Sequence, residues 1–326
     1  MTNIRRYTVE DKAQWDAFVA ASRNSTFLFL RNYMDYHRQR FTDHSLLFFD
    51  GKGRLIAILP ANESQDEEGR KRLVSHQGLT YGGLVLSTHT LVSNILSIME
   101  ALVEYARREG FSYILYKALP TIYHRLPTQE DLYALFRLGA KMEACNLSCT
   151  VSLQASSPAP MERRRQRGMR KALEKGYKTE AGSLQEFWPI MVDNLQTRYH
   201  ARPAHSLEEM QYLQSLFPHQ IVCTIARDSN DTAQAGAVVF QTACAVHVQY
   251  GHATPQGKED GALDLLYTGL ISHYRQEGFR YFDFGTSNEQ GGRILNESLI
   301  AQKEGFGGRG VICPTYKIDL NLSEEI

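Results

Sequence analysis

Apolar residues recur along this chain at helical spacing, twice over. Ile95, Ile98, Met99, Leu102, Val103 and Ala106 form one stripe. Leu263, Leu266, Tyr267, Leu270, Ile271 and Tyr274 form the other, offset by 168 residues without a gap. Spacings of three, four and seven place each set on one buried face of an α-helix. Each stripe closes in Glu-Gly-Phe-x-Tyr, at 109–113 and again at 277–281. Glycine there suits the left-handed position that ends a helix, and the aromatic run after it reads as a strand. The pattern predicts a duplicated domain.

The repeat extends in both directions. Segments 44–61 and 220–241 each read strand, polar turn, strand, with Gly51, Gly53 and the stretch 228–231 supplying the turns. TYGGL at 80–84 answers QYGHA at 249–253, a third strand in each copy, and 144–153 answers 311–320 as the last strand. Each copy opens with a strand and a helix, the helix starting behind Thr8-x-x-Asp11 or Ser183-x-x-Glu186. The predicted unit is an α/β domain with a mixed sheet, built twice. Segment 154–160, punctuated by Pro158 and Pro160, reads as the linker between domains 1–153 and 161–326.

Composition changes this picture little. A length of 326 residues suits two domains of about 150 each. The 36 basic and 36 acidic residues balance, so no global field recruits DNA or an anionic membrane. No run approaches the roughly 20 apolar residues of a membrane span, and the amino terminus lacks a secretory pattern. The five cysteines are odd in number and lie mainly in apolar strand patterns, as in a reduced, cytoplasmic protein.

Candidate chemistry lies in a few segments. The most basic is 162–178, including Arg167 and Arg170. It is either a solvated helix face or a phosphate-binding surface for a donor. In 196–213, Pro203 and Ser206-x-x-Glu209 separate two helices, and the intervening residues Arg198, Tyr199, His200, Arg202 and His205 are candidates for binding an anion or a sugar. The bland alternative is a polar connection. Gly78, Gly82 and Gly83 in a strand context mark a bulge or a close approach to a ligand, which makes the flanking His76 and Tyr81 binding candidates, with core packing the alternative for Tyr81. Asp283 stands where the first copy has Leu115, and a carboxylate in an aromatic strand needs a partner or a purpose: it is a catalytic candidate that orients a ligand, or a structural one that orients the glycine turn after it. Strand alternation places Tyr250, His252 and Val248 on one face and His247 on the other, against a metal site from the two histidines. No Ser-His-Asp or Cys-His constellation supports a hydrolase.

Three segments carry a family resemblance. RGMRKALEKGYKTEAG (167–182) is similar to an arginine-rich helix leading into a domain's first strand. ALDLLYTGLISHYRQEGFRYFDFGTSN (262–288) is similar to a central helix and a strand ending in Asp-Phe-Gly, and LIAQKEGFGGRGVICPTYKIDL (299–320) to a Lys-x-Gly-Phe-Gly segment and closing strand. With the duplication, the chain resembles the Fem-type aminoacyl transferases, tandem GNAT-fold acyltransferases that extend peptidoglycan crossbridges. The resemblance implies two tandem GNAT-like domains and N-acyl or aminoacyl transfer to an amine of a cell-wall precursor, an amino sugar or a related metabolite. It implies a muropeptide-like or other small-molecule acceptor, and acyl-coenzyme A or aminoacyl-tRNA as donor, with no tightly bound cofactor. It also implies that Lys303 stabilises negative charge on the donor or intermediate, and that Tyr250, in a Tyr-Gly pair, lines the acceptor cleft.

One segment departs from the pattern of coenzyme A users, whose Arg/Gln-x-x-Gly-x-Gly/Ala loop offers backbone N–H groups to a pyrophosphate. Here PQGKEDGA (255–262) has glycines and Lys258, a candidate donor contact, but not the spacing, and Glu259 and Asp260 oppose phosphate. The first copy has no glycine at 86–94. A different function class therefore stands beside the transferase: a catalytically silent protein whose GNAT-like folds hold a ligand or partner.

Overall fold

The computed structural model describes residues 2–199 and 201–321. The first copy runs β1 (Asn3–Arg6), α1 (Lys12–Ala21), α2 (Arg31–Met34), β2 (Thr42–Asp43), β3 (Leu46–Phe49) and β4 (Leu55–Leu59). It continues through β5 (Asn62–Gln65), β6 (Lys71–Val74), β7 (Val85–Leu86), α3 (Val92–Arg108), β8 (Tyr113–Lys117), α4 (Glu130–Arg137) and β9 (Lys141–Ser152). The second runs α5 (Arg163–Glu174), β10 (Lys178–Ala181), α6 (Leu184–Tyr199), α7 (Leu207–Leu216), β11 (Ile221–Arg227) and β12 (Ala233–Gln241). It continues through β13 (Ala245–Ala253), α8 (Pro255–Asp260), α9 (Ala262–Gln276), β14 (Tyr281–Thr286), β15 (Asn288–Glu289), β16 (Ile294–Leu295), α10 (Glu297–Glu304) and β17 (Arg309–Asp319).

The two apolar stripes become α3 and α9, and their core faces are buried as the spacing requires, with only Leu263 half-buried. Both helices end alike. Gly110 and Gly278 take φ of 74° and 85°, and the next residue's N–H closes back on Ala106 and Tyr274, respectively. Only glycine takes that left-handed position without strain. The capping residues also act as read: Asp11 accepts from the Thr8 N–H at 2.9 Å, and Glu186 from the Ser183 N–H at 3.0 Å.

The chain forms two compact units that are not continuous in sequence. One comprises Met1–Asn146, Glu289–Ile294 and Ile312–Ile326; the other comprises Leu147–Asn288 and Leu295–Val311. The segment 154–160, read as a linker, therefore lies inside the second unit. Strand pairing is the cause. The last strand of the second copy pairs antiparallel with β8, from Thr315↔Lys117 to Asp319↔Tyr113, which draws its end into the first unit. Conversely, the end of β9 pairs with β14 in the second unit, Tyr281 opposite Ser152 and Phe282 opposite Val151.

In the first unit, β1–β3–β4–β7 form one sheet, while the end of β17 is followed by β8, β6, β5 and β2 in another. Leu46, Phe48, Ala57 and Leu59 pack with the buried stripe of α3. The expected strand at 80–84 does not form there; strand structure resumes only at Val85. A Cβ on Gly82 would lie 1.9 Å from the Ser75 carbonyl oxygen, so this glycine admits the protein's own backbone and not a ligand. In the second unit the order is β10–β11–β12–β13–β14–β9. The core of α9 packs on Ala235, Ala237, Val239, Val246 and Val248 on one sheet face.

Candidate active site

The second unit holds a cavity where two parallel strands stop pairing. β13 and β14 match over Ala245–His247 and Tyr281–Asp283, and beyond that the register ends. Two local features part them. On β13 the partners step from Val239↔Val248 to Val238↔Tyr250, so Gln249 is an extra, bulged residue that increases the local twist. On β14, Gly285 takes a φ of 74° and turns the chain. Ligands in open α/β sheets bind in such a crevice at the carboxyl ends of parallel strands.

The bulge corrects the alternation read from sequence. Partners across antiparallel strands share a face, so His247 (opposite Phe240), Tyr250 (opposite Val238) and His252 (opposite Gly236) lie together, and Val248 lies on the other side. Ring contacts agree: Trp188 meets Tyr250 at 5.8 Å and Phe187 meets His252 at 6.4 Å, both from α6. His247 is nonetheless turned to Asp283, with Nδ1 2.8 Å from Oδ2. Among the described residues no group of His, Cys, Asp or Glu is arranged to hold a metal ion.

The cavity measures about 330 Å³. Leu263, Tyr267, Phe284 and Phe306 give it an apolar wall; Asn194, Tyr250, His252, Lys258, Gln302 and Lys303 supply its polar groups. All belong to the second unit. Lys303 sits on α10 with 9% exposure and donates to the carbonyls of Gly285 at 2.9 Å and Thr286 at 2.7 Å. Burial pushes its ammonium down to about 8, against an upward pull from Asp283. At neutral pH it remains a charged donor in an apolar setting, with a third N–H beyond the two carbonyls.

Asp283 does not line the cavity. It is 2% exposed and accepts from Ser148, from Thr150 at 2.9 Å and from the Gly285 N–H at 3.2 Å, besides its contact with His247. These donors are the partners a buried carboxylate needs, and through the Gly285 N–H it braces the turn whose carbonyls hold Lys303. Tyr250 does face the cavity, its hydroxyl 2.7 Å from His205 Nδ1, and burial raises its pKa.

The other predicted positions divide. His205 reaches the site through Tyr250, whereas Arg202 is exposed on the same loop. Arg198 and Tyr199 close α6, and their side chains, with His200, lie outside the described residues. His76 and Tyr81 belong to the first unit and are buried in its interior, not on this cavity. Tyr81 bonds Thr26 Oγ1 at 3.2 Å and packs on Phe29 and Tyr123. His76 stacks on His37, and burial drives its pKa down to about 3. His252, Asn194 and Gln302 join the site only in the fold: the sequence offers His252 as a metal ligand alone, and nothing local marks Asn194.

The place expected to receive a pyrophosphate is occupied by protein. Residues 255–260 form the short helix α8, whose Gly257 N–H bonds Thr254 Oγ1 at 2.9 Å. Lys258 and Gly261 donate their N–H groups to the carbonyls of Thr254 and Gly257. The helix α5 then covers the start of α9. A Cβ on Gly261, at φ 84°, would lie 2.2 Å from the Gly168 carbonyl oxygen, and Arg165 bonds Asp264 at 2.7 Å. Asp260 is buried against Lys175 and against Tyr177 at 3.0 Å, with Lys175 holding its carboxyl below the ordinary range. Buried backbone, committed N–H groups and two carboxylates do not fit a pyrophosphate. On the outer side of α5, Arg163, Arg164, Arg167 and Arg170 are exposed.

This architecture defines two α/β units of the GNAT type in tandem. Residues 161–290 match the family model described as acetyltransferase (GNAT) domain. Solved structures share the fold over nearly the whole chain. FemX superposes with a TM-score of 0.71 at 11% identity, covering 98% of each chain. L-PGS from Bacillus licheniformis gives 0.58 at 12% identity, covering 98% of this chain and 94% of that one. A tandem GNAT protein from the clavulanic acid biosynthesis pathway gives 0.51 at 12% identity, covering 99% and 100%. No curated protein matched the sequence. At these identities the likeness is one of fold. Among the described residues, no helix is long and apolar enough to cross a membrane.

Proposed function

We propose that this protein is a cytoplasmic N-acyltransferase that moves an acyl or aminoacyl group from an activated ester to the amine of a cell-wall precursor, an amino sugar or a related metabolite. The observation that carries the reading is the buried Lys303 ammonium in the cavity between β13 and β14 of the GNAT-type second unit. Two of its N–H groups are committed to carbonyls, and the third serves the oxygen of the acyl group as it becomes an oxyanion. Tyr250 is placed to bond the acceptor or that oxygen. The apolar wall excludes water, which favours aminolysis over hydrolysis.

The closed start of α9 favours an aminoacyl-tRNA over acyl-coenzyme A as donor, and the exposed Arg167 and Arg170 offer charge to a polyanion. The resemblance of 262–288 and 299–320 to Fem-type segments favours a muropeptide-like acceptor. The test is a thermal-shift panel of acetyl-coenzyme A, a charged tRNA and nucleotide-linked muropeptides, followed by mass spectrometry of mixed donors and acceptors. Charged tRNA and a muropeptide should raise the melting temperature, because each binds the native state, and an amide product should form. Product from acetyl-coenzyme A alone would overturn the donor assignment. Binding without product from any pair would make this a silent binding protein.

A further inference from the structure

We propose that His252 is the general base of the transfer step, with Asn194 as the residue that sets its tautomer. The proposal rests on the acyl-transfer reading above. Both residues line the cavity. Asn194 is 8% exposed, and its Nδ2 donates to the Ala253 carbonyl at 3.3 Å. That carbonyl can only accept, so the amide cannot be flipped without setting two oxygens against each other. Asn194 Oδ1 therefore faces His252 Nδ1, 3.3 Å away, and requires a proton there. The other nitrogen, Nε2, carries the lone pair.

The surroundings keep the ring neutral. Burial, joined by the charge of Lys258 on α8, lowers its pKa to about 4. The charged and titratable groups that share the cavity are Lys258, Lys303, Tyr250 and Tyr267, and none supplies a negative charge at neutral pH. A neutral ring can accept the proton that the amine nitrogen becomes more ready to lose as it bonds to carbon, so the transfer accompanies the attack.

The step balances as follows. The amine nitrogen bonds to the carbonyl carbon of the activated ester, and the π electrons move to the oxygen beside Lys303. His252 Nε2 takes the proton from nitrogen. The oxyanion collapses, the C–O bond to the leaving alcohol breaks, and His252 returns its proton to that oxygen. An amide, an alcohol and the original imidazole remain.

Two measurements test this on the intact chain. Long-range 1H–15N spectra of imidazole-labelled protein, with His252 assigned by its loss in His252→Gln, should show the Nδ1–H form at pH 7. Asn194→Leu should release it toward the Nε2–H form. An Nε2–H or doubly protonated ring in the unmodified protein overturns the proposal. The second measurement uses phenylalanine cyanomethyl ester as donor and hydroxylamine as amine. His252→Gln should transfer about 100- to 10,000-fold more slowly at an unchanged melting temperature. Added imidazole should restore part of the rate in His252→Gly, which a purely structural loss would not allow. Equal transfer by His252→Gln and the unmodified protein removes His252 from the chemistry while leaving acyl transfer intact. No transfer by the unmodified protein removes the acyl-transfer reading itself, and this proposal with it.

Discussion

Replacing Lys303 with methionine keeps most of the aliphatic stem but deletes the charge. In the fold, a lysine displaced from 10.5 to about 8 costs about 3 kcal/mol when charged, and the substitution removes that cost. Against it, the carbonyls of Gly285 and Thr286 lose their donor, at roughly 1–3 kcal/mol each if water does not replace it. The two effects oppose, so the melting temperature should move by only a few degrees. Catalysis has no such compensation. Losing one donor aimed at a developing oxyanion costs about 2.7–4 kcal/mol, or roughly 100- to 1,000-fold in turnover. The assay is single-turnover amide formation by mass spectrometry, run beside thermal melts of both proteins. Near-normal turnover at a near-normal melting temperature would refute the role given to Lys303.

Other outcomes follow from the same structure. The unfolded chain binds more protons at Lys303 than the folded one between about pH 8 and the ordinary lysine value of 10.5, so Lys303 makes stability rise across that window and change little below it. Urea titrations at both ends should show this increment in the unmodified protein and not in Lys303→Met. Asp283→Leu strands Ser148, Thr150 and the Gly285 N–H and breaks the contact with His247. It should lower stability by roughly 1–3 kcal/mol for each stranded donor, and an unchanged denaturation midpoint would contradict its buried supporting role. Arg167→Glu with Arg170→Glu should weaken binding of charged tRNA with little effect on melting, and raising salt should weaken the unmodified protein's binding in the same direction. Equal affinity of variant and parent at low salt would leave these arginines as a solvated face.

Much of the fold was legible because its signals are local. The stripes of α3 and α9, the closing glycines 110 and 278 and the capping pairs at Thr8 and Ser183 depend on residues a few positions apart, where helical geometry fixes which side chains meet. Lys303 and Tyr250 were also reachable, through motifs that survive in the sequence. Tertiary structure decided the rest. A single bulged residue, Gln249, reversed the faces assigned along β13, because strand alternation has a period of two and one insertion shifts it. The end of the last strand pairs with β8, some 200 positions earlier in order of magnitude, so no reading of neighbours could assign it to the first unit. The glycines at 168 and 261 gave no hint that they let α5 seal the start of α9, and His252 gained a defined tautomer only when α6 brought Asn194 beside it. Periodicity specifies which face of an element is buried; what it is buried against, and which polar atoms meet there, depends on contacts that only the folded chain creates.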